Sequence, residues 1–215
     1  MAMTPRAKPS QKKIRLTVVI IVIVVGFIFG WRYIQNNSQG ISKQDASARS
    51  KGPQNAPLQI VEFIDFQCPS CALGSKYLHE FMAKYPQTVH LELKYFPLQS
   101  HSHGVMSAHY AECAARQNKF WAFHDLILAQ QDQWKNLMNA TPVFDSIAQQ
   151  VWLRQSELNA CLQDEGVREF VLKYKEEGTS LGVQSTPTYF INGEMVVGTK
   201  SLTEKLQNFS QNETN

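Results

Sequence analysis

Cys68 and Cys71, separated by Pro69 and Ser70, form the residue pair in this chain best suited to covalent chemistry. Two thiols one helical turn apart can exchange with a disulfide, one attacking and the other resolving the mixed disulfide. The thiolate is the reactive species, so the pair matters only where its surroundings lower a pKa. LQIVEFIDF (58–66), just upstream, is a β-branched and aromatic run that reads as a buried strand. ALGSKYLHEFMAKY, just downstream, carries Leu73, Tyr77, Leu78, Phe81 and Met82 at helical spacing. The cysteines therefore sit where a strand hands over to a helix. Unpaired N–H groups and the positive dipole end of that first turn stabilise a thiolate at Cys68. Pro69 suits the turn, because its missing N–H would have had no helical partner. Two other readings remain for such a pair, a structural disulfide and half of a zinc site. The zinc reading needs a second close pair, and His101-Ser102-His103 is the nearby candidate.

The elements that must position this pair follow along the chain. VHLELKYFPL (89–98) reads as a second strand. Near the C-terminus, QSTPTYFINGE (184–194) reads as a strand entering a tight Asn-Gly turn, with MVV (195–197) returning beside it. SLTEKLQNF (201–209) closes as an amphipathic helix capped by Ser201 or its neighbour. Between Leu98 and Thr188 there is no convincing strand. Residues 105–117, 119–131, 142–151, 156–163 and 166–182 instead carry apolar positions at helical period. Phe120-Trp121-Ala122-Phe123-His124 reads as core packing, with groove lining as the alternative.

Charge divides the chain. Of the 21 bases and 18 acids, nine bases and one acid lie within residues 1–52, a balance of +8 that leaves −5 for residues 53–215. Five of the bases precede an apolar run from Leu16 to Trp31 whose only polar side chain is Thr17. Counted from Ile14 to Ile34, with Arg15 and Arg32 reaching to the two interfaces, the run meets the length of about 20 residues that spans a bilayer. A cleaved signal peptide competes with this reading, but the residues after the run, Gly30-Trp31-Arg32-Tyr33, are bulky. We therefore expect a cytoplasmic basic tail at 1–15, a transmembrane signal anchor at 16–34, a flexible linker at 35–56 and a tail at 210–215. Positive-inside logic places the domain between them outside the cytoplasm. The basic excess belongs to the leader, so nucleic-acid binding is not indicated.

Strand–Cys-x-x-Cys–helix followed far downstream by Thr-Pro-Thr-Tyr-Phe-Ile-Asn-Gly resembles the thioredoxin superfamily, specifically its DsbA-like branch, over residues 57–209. The resemblance implies an α/β, thioredoxin-like fold with an inserted helical domain at about 100–180, here preceded by one N-terminal transmembrane helix. It implies Cys68 as nucleophile, Cys71 as buried resolving thiol and Pro187 as a cis-proline facing them, with Thr186 offering backbone hydrogen bonds to an extended substrate. Glu62 and Lys94 match a buried charged pair beneath the family's active site, with Pro69 and Ser70 as further tuning positions. Ser70 departs from the archetypal DsbA, which has His there, so a strongly oxidising potential does not follow from the resemblance. Some DsbA-like proteins carry a second disulfide in the insert, which makes Cys113–Cys161 the expected structural bridge. One of His101 and His103 is a candidate for tuning the thiolate. The implied function is thiol–disulfide exchange on cysteine-containing extracytoplasmic polypeptides, as a disulfide oxidase. Reoxidation would come from a quinone-linked membrane partner of the DsbB or VKOR kind, and the chain would be a monomer needing no metal or organic cofactor. A membrane-tethered reductase and a non-catalytic peptide-binding holdase or assembly factor are the alternatives.

Overall fold

The computed structural model describes residues 47–212. The expected tail at 1–15 and anchor at 16–34 lie outside those residues, as does the first part of the linker. Among the described residues, no helix is long and apolar enough to cross a membrane.

Five strands form one mixed sheet: β1 (Ser50–Lys51), β2 (Leu58–Ile64), β3 (Val89–Tyr95), β4 (Thr188–Ile191) and β5 (Glu194–Val197), in spatial order β1-β3-β2-β4-β5. Only β2 and β3 run parallel, and the link between them is α1 (Pro69–Lys84), the crossover helix that parallel strands require. β2 ends at Ile64 and β3 at Tyr95, a few residues short of the apolar runs in the sequence. Past those points the chain turns, and Phe96 still donates to the Ile64 carbonyl at 2.7 Å. Asn192 (φ 51°) and Gly193 (φ 85°) supply the two positive φ values that a tight hairpin between β4 and β5 demands.

Between β3 and β4 the chain forms six helices: α2 (Gly104–Arg116), α3 (Phe120–Ala129), α4 (Gln131–Trp134), α5 (Thr141–Gln150), α6 (Gln155–Leu162) and α7 (Glu165–Ser180). They enclose a core in which Phe120, Phe123, Trp134, Phe144 and Ile147 meet Ile64, Leu93 and Tyr95 from the sheet and Phe66 from the loop after β2. The Phe120–His124 segment is thus mainly core, with Trp121 only partly covered. A disulfide joins Cys113 of α2 to Cys161 of α6, closing a separation of 48 residues. In the chain-entropy account such a closure stabilises by roughly 4 kcal/mol. α7 packs back on the sheet so closely that a Cβ on Gly178 would lie 2.7 Å from the Phe96 ring and 2.8 Å from that of Phe63.

α8 (Gly198–Asn212) starts directly after β5, three residues before the expected cap, so Ser201 lies inside the helix rather than at its end. It also continues through residues 210–212, which were expected to be tail. Leu202 and Leu206 bury its inner face against Leu78 and Phe81 of α1 and Tyr189 of the sheet.

The linker expected at 35–56 is part of the fold from residue 47 onward. Residues 47–56 are not a loose tether: Ser50 and Lys51 pair with Glu92 and Leu91 as an antiparallel edge strand. Arg49 is fully buried. Its guanidinium donates to Glu112 at 2.6 Å and to the Tyr174 hydroxyl at 2.7 Å, and stacks 4.8 Å from the Phe170 ring centroid. Tyr95 donates to the same carboxylate at 3.0 Å. Composition reads this stretch as polar linker, but the partner that holds Arg49 lies 63 residues away on α2. Removing one member of a buried ion pair leaves the other charge without compensation, at a cost of about 3–5 kcal/mol. Arg49→Met should lower unfolding stability in urea by about that much, and Arg49→Met with Glu112→Leu should recover most of it. A single substitution costing less than about 1 kcal/mol would show that the segment is not held by this pair.

Candidate functional site

Cys68 is the N-cap of α1, in extended conformation (φ −75°, ψ 120°), and Pro69 opens the helix. The Cys68 amide donates to the Asp65 carbonyl and the Cys68 carbonyl accepts from Cys71, each at 3.0 Å. No side chain caps the helix. The backbone N–H groups of Ser70 and Cys71 instead face the Cys68 sulfur. Both thiols are reduced; Cys71 is fully buried and Cys68 is 7% exposed. Across from them the Thr186–Pro187 peptide is cis, and the Cys68 thiol donates to the Thr186 carbonyl at 3.3 Å.

The two sulfurs are pulled in opposite directions. A hydrogen bond from the Cys71 thiol holds Cys68 far below the ordinary thiol value, at about 5, against the opposing effect of burial. The Thr186 side chain and the amides of Cys71 and Ser70 add to this. The bond to the Thr186 carbonyl favours the thiol instead, because it needs the proton on sulfur. Once that proton leaves, the buried Thr186 hydroxyl, which has no other partner, becomes a donor to the thiolate. Cys71 is pushed up by burial first, then by sharing its proton with Cys68 and by the charge of Glu62. The site thus holds one thiolate at neutral pH beside one protonated thiol.

Glu62 lies beneath this pair, fully buried, with neither carboxylate oxygen in a hydrogen bond. The expected partnership with Lys94 does not form. In the parallel register Lys94 sits beside Phe63 and Glu62 beside Leu93, so the two charges point to opposite faces of the sheet. Lys94 bonds Glu177 of α7 at 2.6 Å. The cation that faces Glu62 is Lys51, from the edge strand contributed by the supposed linker. Burial raises Glu62 to about 8, with Lys51 and the Tyr189 hydroxyl acting in the other direction. That hydroxyl is a neighbour rather than a formed bond, since it too has no partner at hydrogen-bond geometry. It is pressed against α1 at Gly74, where a Cβ would come within 2.2 Å of it.

Two side chains that sequence reasoning passed over organise the loop before Cys68. Asp65 is buried and accepts from the Gln67 amide (2.8 Å), the Leu98 amide (2.7 Å) and His101 Nδ1 (2.8 Å). A carboxylate closing an apolar strand was the available signal. Gln131 reaches the same loop from the insert. His101 is therefore engaged by Asp65, while His103 Nε2 pairs with the Leu137 carbonyl at 2.7 Å. On the other side of α1, Thr199 donates to the Ser70 carbonyl at 2.7 Å. Beside the helix lies a groove of about 420 Å³ lined by Ala72, Leu73, His79, His124 and Leu128.

Two measurements follow from these charges. Alkylation of the reduced chain by iodoacetamide should titrate at Cys68 with a midpoint of about 5. A midpoint at the ordinary thiol value, about 8.5, would contradict the geometry. For Glu62, a folded pKa raised to about 8 means that ionisation destabilises the fold, increasingly as pH rises from the unfolded value through about 8. Glu62→Gln should therefore match the parent in urea unfolding near pH 4 and exceed it at pH 7 by up to about 3 kcal/mol. An unchanged difference across that range would remove the buried, uncompensated carboxyl from the account.

The profile described as Thioredoxin matches residues 45–209, beginning inside the supposed linker. Among curated proteins, the chain is 31% identical over 146 residues to "Na(+)/H(+) antiporter NhaA 3" of Salinispora tropica, covering 66% of this chain and 21% of that protein. It is 27% identical over 150 residues to "Na(+)/H(+) antiporter NhaA" of Herminiimonas arsenicoxydans, covering 69% and 23%. The chain thus spans less than a third of the length of these relatives. Among solved structures, alpha-DsbA1 of Wolbachia pipientis superposes with TM-score 0.64 at 22% identity, over 74% of this chain and 89% of that one. Oxidised BdbD from Bacillus subtilis superposes with TM-score 0.64 at 19% identity, over 74% and 91%. These two likenesses concern the fold, a mixed sheet carrying a helical insert. The sequence profile extends from the docked edge strand to the last helix, and on that ground the chain belongs to the thioredoxin family.

Proposed function

We propose that the chain performs thiol–disulfide exchange on cysteine-containing polypeptides outside the cytoplasm, as a disulfide oxidase working through Cys68 and Cys71. The observation that carries this reading is the opposed pull on the two sulfurs, Cys68 down to about 5 and Cys71 up. Stabilising the Cys68 thiolate stabilises the reduced pair, and a pair whose reduced form is stabilised is an oxidant. The low value arises here without a histidine at position 70, from Cys71, Thr186 and backbone amides.

In the oxidised enzyme a substrate thiolate attacks the Cys68 sulfur. The Cys68–Cys71 bond breaks, its electron pair leaves on Cys71, and Cys71 takes up a proton, as its raised pKa favours. A second substrate thiolate then attacks the substrate sulfur of the mixed disulfide and expels Cys68 as a thiolate. The substrate is oxidised by two electrons and the enzyme disulfide is reduced by two, to the dithiol. The Thr186 carbonyl, 3.3 Å from the Cys68 sulfur, can pair with the backbone of an extended substrate, and the groove beside Leu73 can take its side chains. Reoxidation falls to a quinone-linked membrane partner of the DsbB or VKOR kind. The extracytoplasmic setting and the single-pass anchor rest on the basic, apolar leader, read by charge and length alone.

Equilibration with glutathione separates oxidase from reductase: a midpoint near about −120 mV supports the oxidase and one near about −270 mV the reductase. With a two-cysteine peptide supplied as its disulfide, Cys71→Ser should trap a mixed disulfide, the Cys68 thiolate attacking the peptide disulfide and one peptide sulfur leaving as thiolate, and Cys68→Ser should trap none. Exchange that survives Cys68→Ser would overturn Cys68 as the exchanging thiol, and peptide binding by the parent with no exchange would leave the holdase reading. The pH dependence has a definite sign. Because Cys68 ionises more readily in the folded than in the unfolded chain, the reduced form gains stability that is complete above about 8.5 and lost as pH falls through about 5. The stability difference between reduced and oxidised chains should therefore move in favour of the reduced form from pH 5 to pH 9. Thermal unfolding of the two redox forms checks this.

A further inference from the structure

The loop that presents Cys68 is stitched to the helical insert by two glutamines pointing in opposite directions. Gln131, at the start of α4, is buried and its side-chain amide donates to the carbonyls of Phe66 (2.7 Å) and Cys68 (3.0 Å). Gln67, in the loop itself, reaches back. Its amide donates to the Lys135 carbonyl at 2.7 Å and its carbonyl oxygen accepts from the His103 amide at 2.6 Å. Residues 66–68 are therefore held from the insert on both sides of the residue preceding the thiol. Neither glutamine touches either sulfur.

We infer that Gln131, with Gln67 as its counterpart, is a positioning residue that sets the reactivity of Cys68 by fixing the backbone on which the thiol is mounted. Cys68 must keep the extended conformation of an N-cap for its sulfur to face the N–H groups of Ser70 and Cys71. Its carbonyl accepts from Cys71 at 3.0 Å and from Ala72 at 3.4 Å, and Gln131 supplies a further donor. That donor comes from outside the helix, so it opposes rotation of the carbonyl as the first turn frays. The second bond, to Phe66, holds the preceding stretch of the loop. With both bonds absent, two buried carbonyls lose donors and the loop is free to turn the sulfur away from the amides. The reactivity of the thiol would then depend on a residue over 60 positions away, in the insert rather than in the thioredoxin-like core. It also follows that the insert is a working part of the site and not only a cover over it.

The inference rests on the reading of Cys68 as the exchanging thiol, but its test does not require turnover. Gln131→Met keeps the length of the side chain and removes both donors; Gln67→Met does the same from the other side. In the reduced full chain, Gln131→Met should move the alkylation midpoint of Cys68 upward and slow alkylation at pH 6 by about tenfold. Its equilibrium with glutathione should shift by a similar factor, about tenfold, toward a less oxidising pair. Gln67→Met should shift both quantities in the same direction by a smaller factor. Ile147→Val, in the insert core, serves as a control that lowers melting temperature while leaving the midpoint in place. A Gln131→Met protein with the parent's midpoint and glutathione equilibrium, whatever its melting temperature, would overturn the inference. If Gln131→Met fails to fold, the same comparison on Gln67→Met decides. A parent chain that alkylates at low pH but does not exchange with glutathione would count against the proposed function alone, since the midpoint comparison still stands.

Discussion

The arrangement around Cys68 depends on a helix end left without a side-chain cap. The first turn of any helix has backbone N–H groups that lack helical partners, and water, a capping oxygen or a bound anion usually takes them. Here the anion is the sulfur of the N-cap residue itself. Pro69 removes one donor from the competition, and the N–H groups of Ser70 and Cys71 face the sulfur. Because Cys71 lies one turn on, its thiol can donate to the same sulfur while remaining sealed from water. The two cysteines then differ in protonation despite identical chemistry, which suits one to attack or leave as thiolate and the other to take up a proton.

Around this point the fold tolerates charges that burial disfavours. The charge of Arg49 is paired, by a carboxylate, a tyrosine hydroxyl and aromatic faces, although its Nε has no hydrogen-bond partner. Glu62 is not; its oxygens have no hydrogen bonds, and the cation that acts on it, Lys51 at the sheet edge, only partly offsets its burial. The contrast separates a structural charge from one held near its switching point. Compensation fixes the ionisation of Arg49, whereas its absence leaves Glu62 able to gain or lose a proton near neutral pH, close to Cys71. Both depend on residues 49–51, which dock the start of the domain against sheet and insert together.

The insert does more than lengthen the chain between β3 and β4. Its α2 supplies Glu112 to hold Arg49, and α3 supplies His124 and Leu128 to the groove wall. From α4, Gln131 reaches the carbonyl of Cys68. Each contact crosses from insert to sheet or loop at a point that bears on the site.

Much of this was legible in the sequence, because it rests on local patterns. The strand–Cys-x-x-Cys–helix handover, the Asn-Gly hairpin and the helical insert follow from periodicity and turn chemistry, which act over a few residues, and the place of Pro187 opposite the thiols follows from the family resemblance. What the tertiary structure alone decided is which distant groups meet. Composition made residues 47–56 a polar linker until Glu112 gave Arg49 a buried partner. Two charged residues on neighbouring strands looked like a pair until the parallel register placed Lys94 beside Phe63 and turned it from Glu62. Asp65 and Gln131 carried no spacing signal, since their partners are backbone amides and carbonyls that every residue possesses. A side chain's type is written in the sequence, but its electrostatic environment is set by strand register and by contacts between segments tens of residues apart.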